Sequence, residues 1–424
     1  MDNAKPDRPD ALDLGIHEVE EQLCEEVDPE SFPYLSTKGR VINTYENIEH
    51  LITHLGIFPR FNELRKEIEA KIPYKKFMKA NEAKLLLAEV TSLCNKNAVP
   101  RIDIPQWLMM IADNHSYNPV SDYITSKPWD GVCRKQEFFN TIQTDNPKHR
   151  DFLMERWMRG AVACGISQNG LAHAGVLTLL GETGNGKSAW IKKLVPENSN
   201  LLLADYTFNP ASKDDIITAT KFWITELAEV ASTVKRSDDN TLKAFLTRKM
   251  DVYRSPYERA DTEAPRKTCF VASVNDPQFL RDDTGNRRWW VIEAKDVDYE
   301  HTLDMQQIWA QFKNEHDNGA AFYLSREEIR QLNSVNEQYR PETSIYESIA
   351  ARFKWAETER PLKMSATEVL EECGIKHPGG NTAIIKEANR ALRELTQGKP
   401  VKVRGLYKYK LPYLNTAVPR YDLD

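Results

Sequence analysis

The sequence predicts an α/β fold with a largely parallel sheet, set between a helical N-terminal region and a C-terminal unit of helices closed by a hairpin. Three observations carry this. From about residue 174 apolar runs of strand length alternate with helical patterns. One of those runs passes directly into a glycine-rich loop and then an amphipathic helix. On either side of this stretch the apolar spacing is helical.

At 424 residues the chain exceeds what one hydrophobic core usually serves, and 41% hydrophobic content is ample for more than one. No apolar run approaches the roughly 18 residues that cross a bilayer, and "MDNAKPDRPDALDLG" has no apolar signal region, so a protein without membrane contact is expected, in the cytoplasm of a bacterial host cell. Six cysteines without a CxxC pair, and nine histidines without ligand spacing, argue against a zinc site or disulfide framework and for reduced thiols. Residues 2–30 hold eleven acids against Lys5 and Arg8, more than the whole chain's net charge of −6, so the body is slightly basic. The expected organisation is an acidic disordered tail (1–30), a helical domain (31–135), the α/β domain (136–343) and a C-terminal domain (344–424).

Thr44 is the candidate cap of a helix with Ile48, Leu51, Ile52 and Leu55 on one face. "NEAKLLLAEVTSLCNKN" and "IDIPQWLMMIADNH" predict two more helices, and the turn-rich "YNPVSDYITSKPWDGVCR" (117–134) reads as a boundary before the helix "HRDFLMERWMRGAVACGI". The expected strands are "VLTLL" (176–180), "KFWIT" (221–225), "CFVASV" (269–274) and "WWVIEA" (289–294).

"VLTLLGETGNGKSAWIKKLV" is a strand, a GxxxxGKS loop and a helix ended by Pro196. Gly181, Glu182, Thr183, Gly184, Asn185 and Gly186 form a tight loop whose backbone N–H groups turn inward on an anion. Lys187 reaches the outer phosphates and the Ser188 hydroxyl ligates Mg²⁺, which predicts ATP and Mg²⁺ as the bound pair. Hydrolysis also needs an acid near metal and water. "KFWITELAEV" supplies Glu226 at the strand tip, a candidate for metal or water, and Glu229 three residues on, and the roles of the two stay open. Asn275 ends the next strand, where a neutral amide suits the lytic water or γ-phosphate, with a turn role before Asp276-Pro277 as the alternative. Arg287 and Arg288 follow, just before "WWVI". A guanidinium so placed is expected to neutralise charge on a neighbouring subunit's γ-phosphate, either residue being a candidate finger, with structural salt bridging as the alternative.

The order of phosphate loop, acid-bearing strand, basic segment, Asn-bearing strand and arginine resembles a superfamily 3 helicase core of the AAA+ type. It resembles more specifically the virulence-associated E family of phage and genomic-island ATPases, related to poxvirus-type primase-helicases. "WITELAE", "LKAFLTRKMDVYRSPYERA", "ASVNDPQFLRDDTGNRRWWVI" and "YNPVSDYITSKPWDGVCR" carry the likeness, over roughly 115–300. The resemblance implies a homo-oligomeric ring, expected to be hexameric, that moves on single-stranded or forked DNA during replication of a mobile element, alongside other replication proteins. Lys243, Arg248, Lys249 and Arg254, interleaved with Phe245, Tyr253 and Tyr257, then suit phosphate contact and base stacking, with a solvated helix as the alternative. No primase domain is evident.

In the last unit Ser365 and Glu368 form a capping box, a glycine turn follows, and "NTAIIKEANRALREL" places Ile384, Ile385, Ala388, Leu392 and Leu395 toward a core. Lys386 and Arg390 lie elsewhere on that helix, and "GKPVKVRGLYKYK" adds Lys402 and Arg404 on a basic hairpin. Helix, turn, helix and hairpin predict a winged-helix-like DNA-binding domain whose second helix enters a major groove, with a small packing domain as the alternative. The expected function is an ATP-dependent DNA helicase. Competing readings are a nucleotide-gated regulator or anti-phage effector that does not unwind, and an origin-binding initiator.

Overall fold

The computed structural model describes residues 26–74, 82–173, 175–228, 239–253, 262–280, 286–340, 344–355, 361–375, 382–403 and 406–415. Its centre is a five-stranded sheet of β1 (Val176–Leu180), β2 (Leu202–Thr207), β3 (Ile224–Ala228), β4 (Cys269–Val274) and β5 (Trp289–Glu293). All neighbours are parallel and the spatial order is β5-β1-β4-β3-β2. The three inner strands are almost wholly buried, as expected of a parallel sheet covered on both faces.

Two strands differ from the sequence reading. β3 begins at Ile224 rather than Lys221, because Lys221–Trp223 form the turn out of the helix Lys213–Ala219. Glu226 therefore lies in the middle of its strand, not at the tip. β2, not anticipated, is the sheet edge, and a bulge between Leu203 and Tyr206 breaks its register.

The long helix α1 (Pro147–Ile166) packs beneath the sheet. Trp157 donates to the Phe270 carbonyl (2.9 Å) and Trp223 to the Ala161 carbonyl (2.8 Å), so both large rings are buried with their one polar atom satisfied. The other helices around the sheet used below are α2 (Lys187–Lys193), α3 (Met305–Asp317) and α4 (Arg326–Asn336). Val120 and Ile124, on the helix Pro119–Thr125, share the core of α1 and α3, so the apolar side of segment 117–134 is buried in the α/β unit.

The N-terminal helices pack Ile48, Leu51, Ile52, Leu86, Val90 and Leu108 into a separate core, and Thr44 caps the first helix as expected. Residues 26–30, assigned to the disordered tail on sequence, are folded into this unit. Val27 is buried and its N–H donates to the Asn97 side chain at 2.7 Å. Residues 1–25 lie outside the described residues.

The last unit runs α5 (Ser344–Arg352), β6 (Leu362–Met364), α6 (Ala366–Glu372), α7 (Thr382–Thr396), β7 (Val401–Val403) and β8 (Leu406–Leu411). Its antiparallel sheet has the order β6-β8-β7. The Ser365–Glu368 capping box forms, and Lys408 of β8 bonds Glu368, fastening the hairpin to α6. No helix among the described residues is long and apolar enough to cross a membrane.

Candidate nucleotide site

Parallel strands put all five carboxyl ends on one edge of the sheet, and the glycine loop leaves β1 at that edge. The Gly181 N–H donates to the Val274 carbonyl at the end of β4 (3.0 Å), and the Asn185 side chain donates to the Ala294 carbonyl just past β5 (3.0 Å). The loop is thus pinned to both neighbouring strands. A side chain at Gly181 would run into Ala294 O, and Gly186 holds φ +86 with the Tyr299 ring against it. Only glycine serves at either place.

Lys187, 6% exposed, donates to the Gly181 carbonyl (2.8 Å), the Glu182 carbonyl (2.7 Å) and Asn185 Oδ1 (3.1 Å). Burial pulls its pKa down and the nearby Glu226 carboxylate opposes that shift. Ser188 Oγ donates to Glu226 Oε1 at 2.6 Å. Glu226 is fully buried two strands away, and β4 contributes Ser273, whose hydroxyl donates to the same oxygen at 2.8 Å. The Asp205 N–H, turned inward by the β2 bulge, donates to Glu226 Oε2 at 3.0 Å. Three donors therefore satisfy one buried carboxylate.

Asp205 went unnoticed in the sequence. It adopts φ +54, which Asp tolerates better than most residues, and its carboxylate pairs with Lys192 at 2.8 Å. The Lys192 bond, and to a lesser extent one from Ser188, lower the Asp205 pKa. Ser188, Glu226 and Asp205 are hard oxygen donors of the kind Mg²⁺ takes. Among the described residues no cluster of three or more His, Cys, Asp or Glu could hold a metal.

Asn275 follows Val274, the residue that fixes the loop, and is exposed. Arg287 and Arg288 fall elsewhere. They form a 3₁₀ turn before β5, whose first residue, Trp289, pairs with Val176 at the start of β1. The length of a five-residue strand, ~16 Å at about 3.3 Å per residue, separates them from their own chain's loop. Asn336, fully buried at the end of α4, holds this turn by donating to the Asn286 and Trp289 carbonyls (2.9 Å each). Arg287 is exposed and Arg288 half-buried, beside a 230 Å³ pocket that also touches His173, Thr247 and Tyr323. Burial lowers the His173 pKa to about 4, so the ring is neutral, edge-on to Trp290 at 5.3 Å.

Lys243 lies on the helix Asp239–Leu246, and Arg248 and Lys249 are exposed at the foot of a ribbon of Met250–Tyr253 and Thr262–Pro265. Asp251 at that foot is buried with Arg266 (2.5 Å) and with Lys66 of the N-terminal unit (3.3 Å). Lys386 and Lys402 are exposed, and Arg390 pairs with Glu387 at 2.8 Å. Glu229, Arg254, Tyr257 and Arg404 lie outside the described residues, as does the Tyr253 side chain.

The virulence-associated protein E-like domain family matches residues 124–341, more than half of the chain and reaching through α4. No curated protein matches. Among solved structures, an A-form apo structure of the NrS-1 C-terminal region aligns at 14% identity and TM-score 0.41, covering 86% of this chain and 98% of that one. A further apo structure of the same region aligns at 14% identity and TM-score 0.39 with the same coverage.

Proposed function

Because the chain belongs to the virulence-associated protein E-like domain family, we propose that it is an ATP-driven DNA translocase that unwinds DNA in replication of a phage or mobile element. The observation that carries this reading is the 2.6 Å contact between Ser188, on the helix after the glycine loop, and Glu226, two strands away. It joins a phosphate-binding turn to a buried acid, the pair that phosphoryl transfer to water requires.

Lys187, turned toward the loop by its carbonyl contacts, meets the outer phosphates. Ser188 and Glu226 hold Mg²⁺, which when bound supplies charge neutralisation on the phosphates. Glu226, or Glu229 further along the chain, orients the water, and Asn275 reads the γ-phosphate. Arg287 or Arg288 acts on the loop of an adjoining copy, which calls for a ring, on this reading a hexamer. The order helix, strand, helix, helix, strand, strand in the last unit, with β6-β8-β7 pairing, supports a winged-helix reading of 344–424 and hence a second DNA contact.

The test is Lys187→Ala, assayed for ATP binding, hydrolysis and strand displacement on a forked duplex. All three are expected to fall to background with the circular dichroism spectrum unchanged. Hydrolysis by the unaltered protein without strand displacement would instead favour the regulator reading.

A further inference from the structure

We propose that the cleft between α4 and α7 is a track for single-stranded nucleic acid, and that in this arrangement it closes the basic face of α7 to duplex. The proposal rests on the DNA-acting reading above only for the kind of polymer. The cleft encloses about 1120 Å³, beyond the roughly 300–1,000 Å³ of pockets that hold drug-sized ligands. There is room for several linked nucleotides.

Cations line both walls. Arg330 and Arg340 stand on the α/β side, and Lys386, Arg390 and Arg393 on α7. Arg330, Arg340 and Arg390 each meet a glutamate three residues away on their own segment. The Arg330 pair is exposed and therefore weak, so a phosphate competes with its carboxylate for the same donors, whereas the Arg340 and Arg390 side chains are largely buried. Among the described residues, Lys386 and Arg393 have no ion-pair partner, and both are exposed. Tyr407, the second residue of β8, lines the cleft with 63% of its surface exposed and presents a ring on which a base can stack.

Geometry selects the strand over the duplex. A recognition helix reads DNA by standing clear of its domain and entering a major groove about 12 Å wide. Here α4 and the turn after it oppose the face of α7 that carries Lys386, Arg390 and Arg393. A duplex cannot straddle a helix so covered, whereas a single strand can thread between the walls. This differs from the major-groove role expected of α7 on sequence alone.

The experiment is fluorescence anisotropy on the full chain, without nucleotide, comparing a labelled 20-mer of dT with a 20-base-pair hairpin at 50–200 mM salt. The dT strand is expected to bind at least about tenfold more tightly. The double variant Lys386→Ala/Arg393→Ala should weaken strand binding about tenfold and reduce the slope of log K against log salt by about 1.4, two contacts at roughly 0.7 each for single strands. Arg330→Ala, on the opposite wall, should weaken strand binding severalfold, which a surface made of α7 alone does not predict. The proposal is overturned if the double variant weakens only hairpin binding, if Arg330→Ala changes nothing, or if dT binding is unaffected throughout. Since no nucleotide is present, none of these outcomes depends on whether the loop 181–188 hydrolyses ATP.

Discussion

The two ends of the central sheet are built on opposite plans. At the carboxyl end Ser188, Ser273 and the Asp205 N–H converge on Glu226 at 2.6–3.0 Å, and Lys187 donates to the loop at 2.7–3.1 Å, so each polar group has a partner within the same chain. At the amino end Arg287 projects into solvent, and its turn is braced from behind by Asn336 and by Trp290, which donates to the Arg287 carbonyl. One end is organised inward, the other is rigidly held yet faces out. With ~16 Å between them, an arginine at the amino end serves a phosphate only on another copy. On the proposed reading each chain contributes two complementary half-sites.

The sharpest way to break that comparison is Arg287→Ala/Arg288→Ala. Nucleotide binding should persist while hydrolysis falls by about 10³ to 10⁵, the range for loss of an arginine finger. Mixing this double variant with Lys187→Ala should restore part of the activity, because one chain then brings an intact loop and the other intact arginines. An arginine variant that is fully active alone, or a mixture that restores no turnover, would dissolve the half-site argument. Next comes Glu226→Gln, which keeps the size of the side chain and removes its charge. Turnover is expected to drop about 10² to 10⁴ with nucleotide still bound, read by single-turnover hydrolysis.

The amino end also carries a pH signature. His173 titrates near 4 when folded, against 6.5 ordinarily, because burial disfavours its charged form. Its folded pKa is the lower of the two, so its contribution is complete above pH 6.5 and is lost as pH falls toward 4. Between pH 7 and pH 5 this amounts to about 2 kcal/mol of lost stability, to order of magnitude. His173→Phe should flatten that part of the dependence of Tm on pH, even where the larger ring lowers Tm at every pH by crowding Gly160.

The loop, its strand and its helix were legible because their signals are local: glycines at fixed offsets, an apolar run, a lysine and a serine. β1 and β4 were read in full for the same reason, since strands buried on both faces leave unbroken apolar runs. β3 was displaced by three residues, as apolarity alone does not show that Trp223 turns away to bond α1 before the strand begins. β2 escaped notice at the sheet edge, where it is half-buried and bulged, and Asp205 escaped with it. What makes Asp205 a site residue is the strand order, which no short window of sequence contains. The same holds for Asp251, Arg266 and Lys66. Their charges suggest solvent-facing residues, yet they meet in the interior across a separation of 185 residues.

Asp205 supplies the finest test of the carboxyl end. Its backbone N–H serves Glu226 while its carboxylate lies near Ser188 and pairs with Lys192. Asp205→Asn keeps the backbone donor and tolerates the same φ, so it isolates the charge. Because the side chain is largely exposed and its ion pair is solvated, the effect should be small: about a threefold to fivefold rise in the Mg²⁺ concentration for half-maximal hydrolysis, with kcat within about twofold. A kcat loss as deep as that of Glu226→Gln would move the role of the acid at the metal from β3 to the bulge of β2. The three hydrogen bonds on Glu226 would then be read as the support of a structural carboxylate.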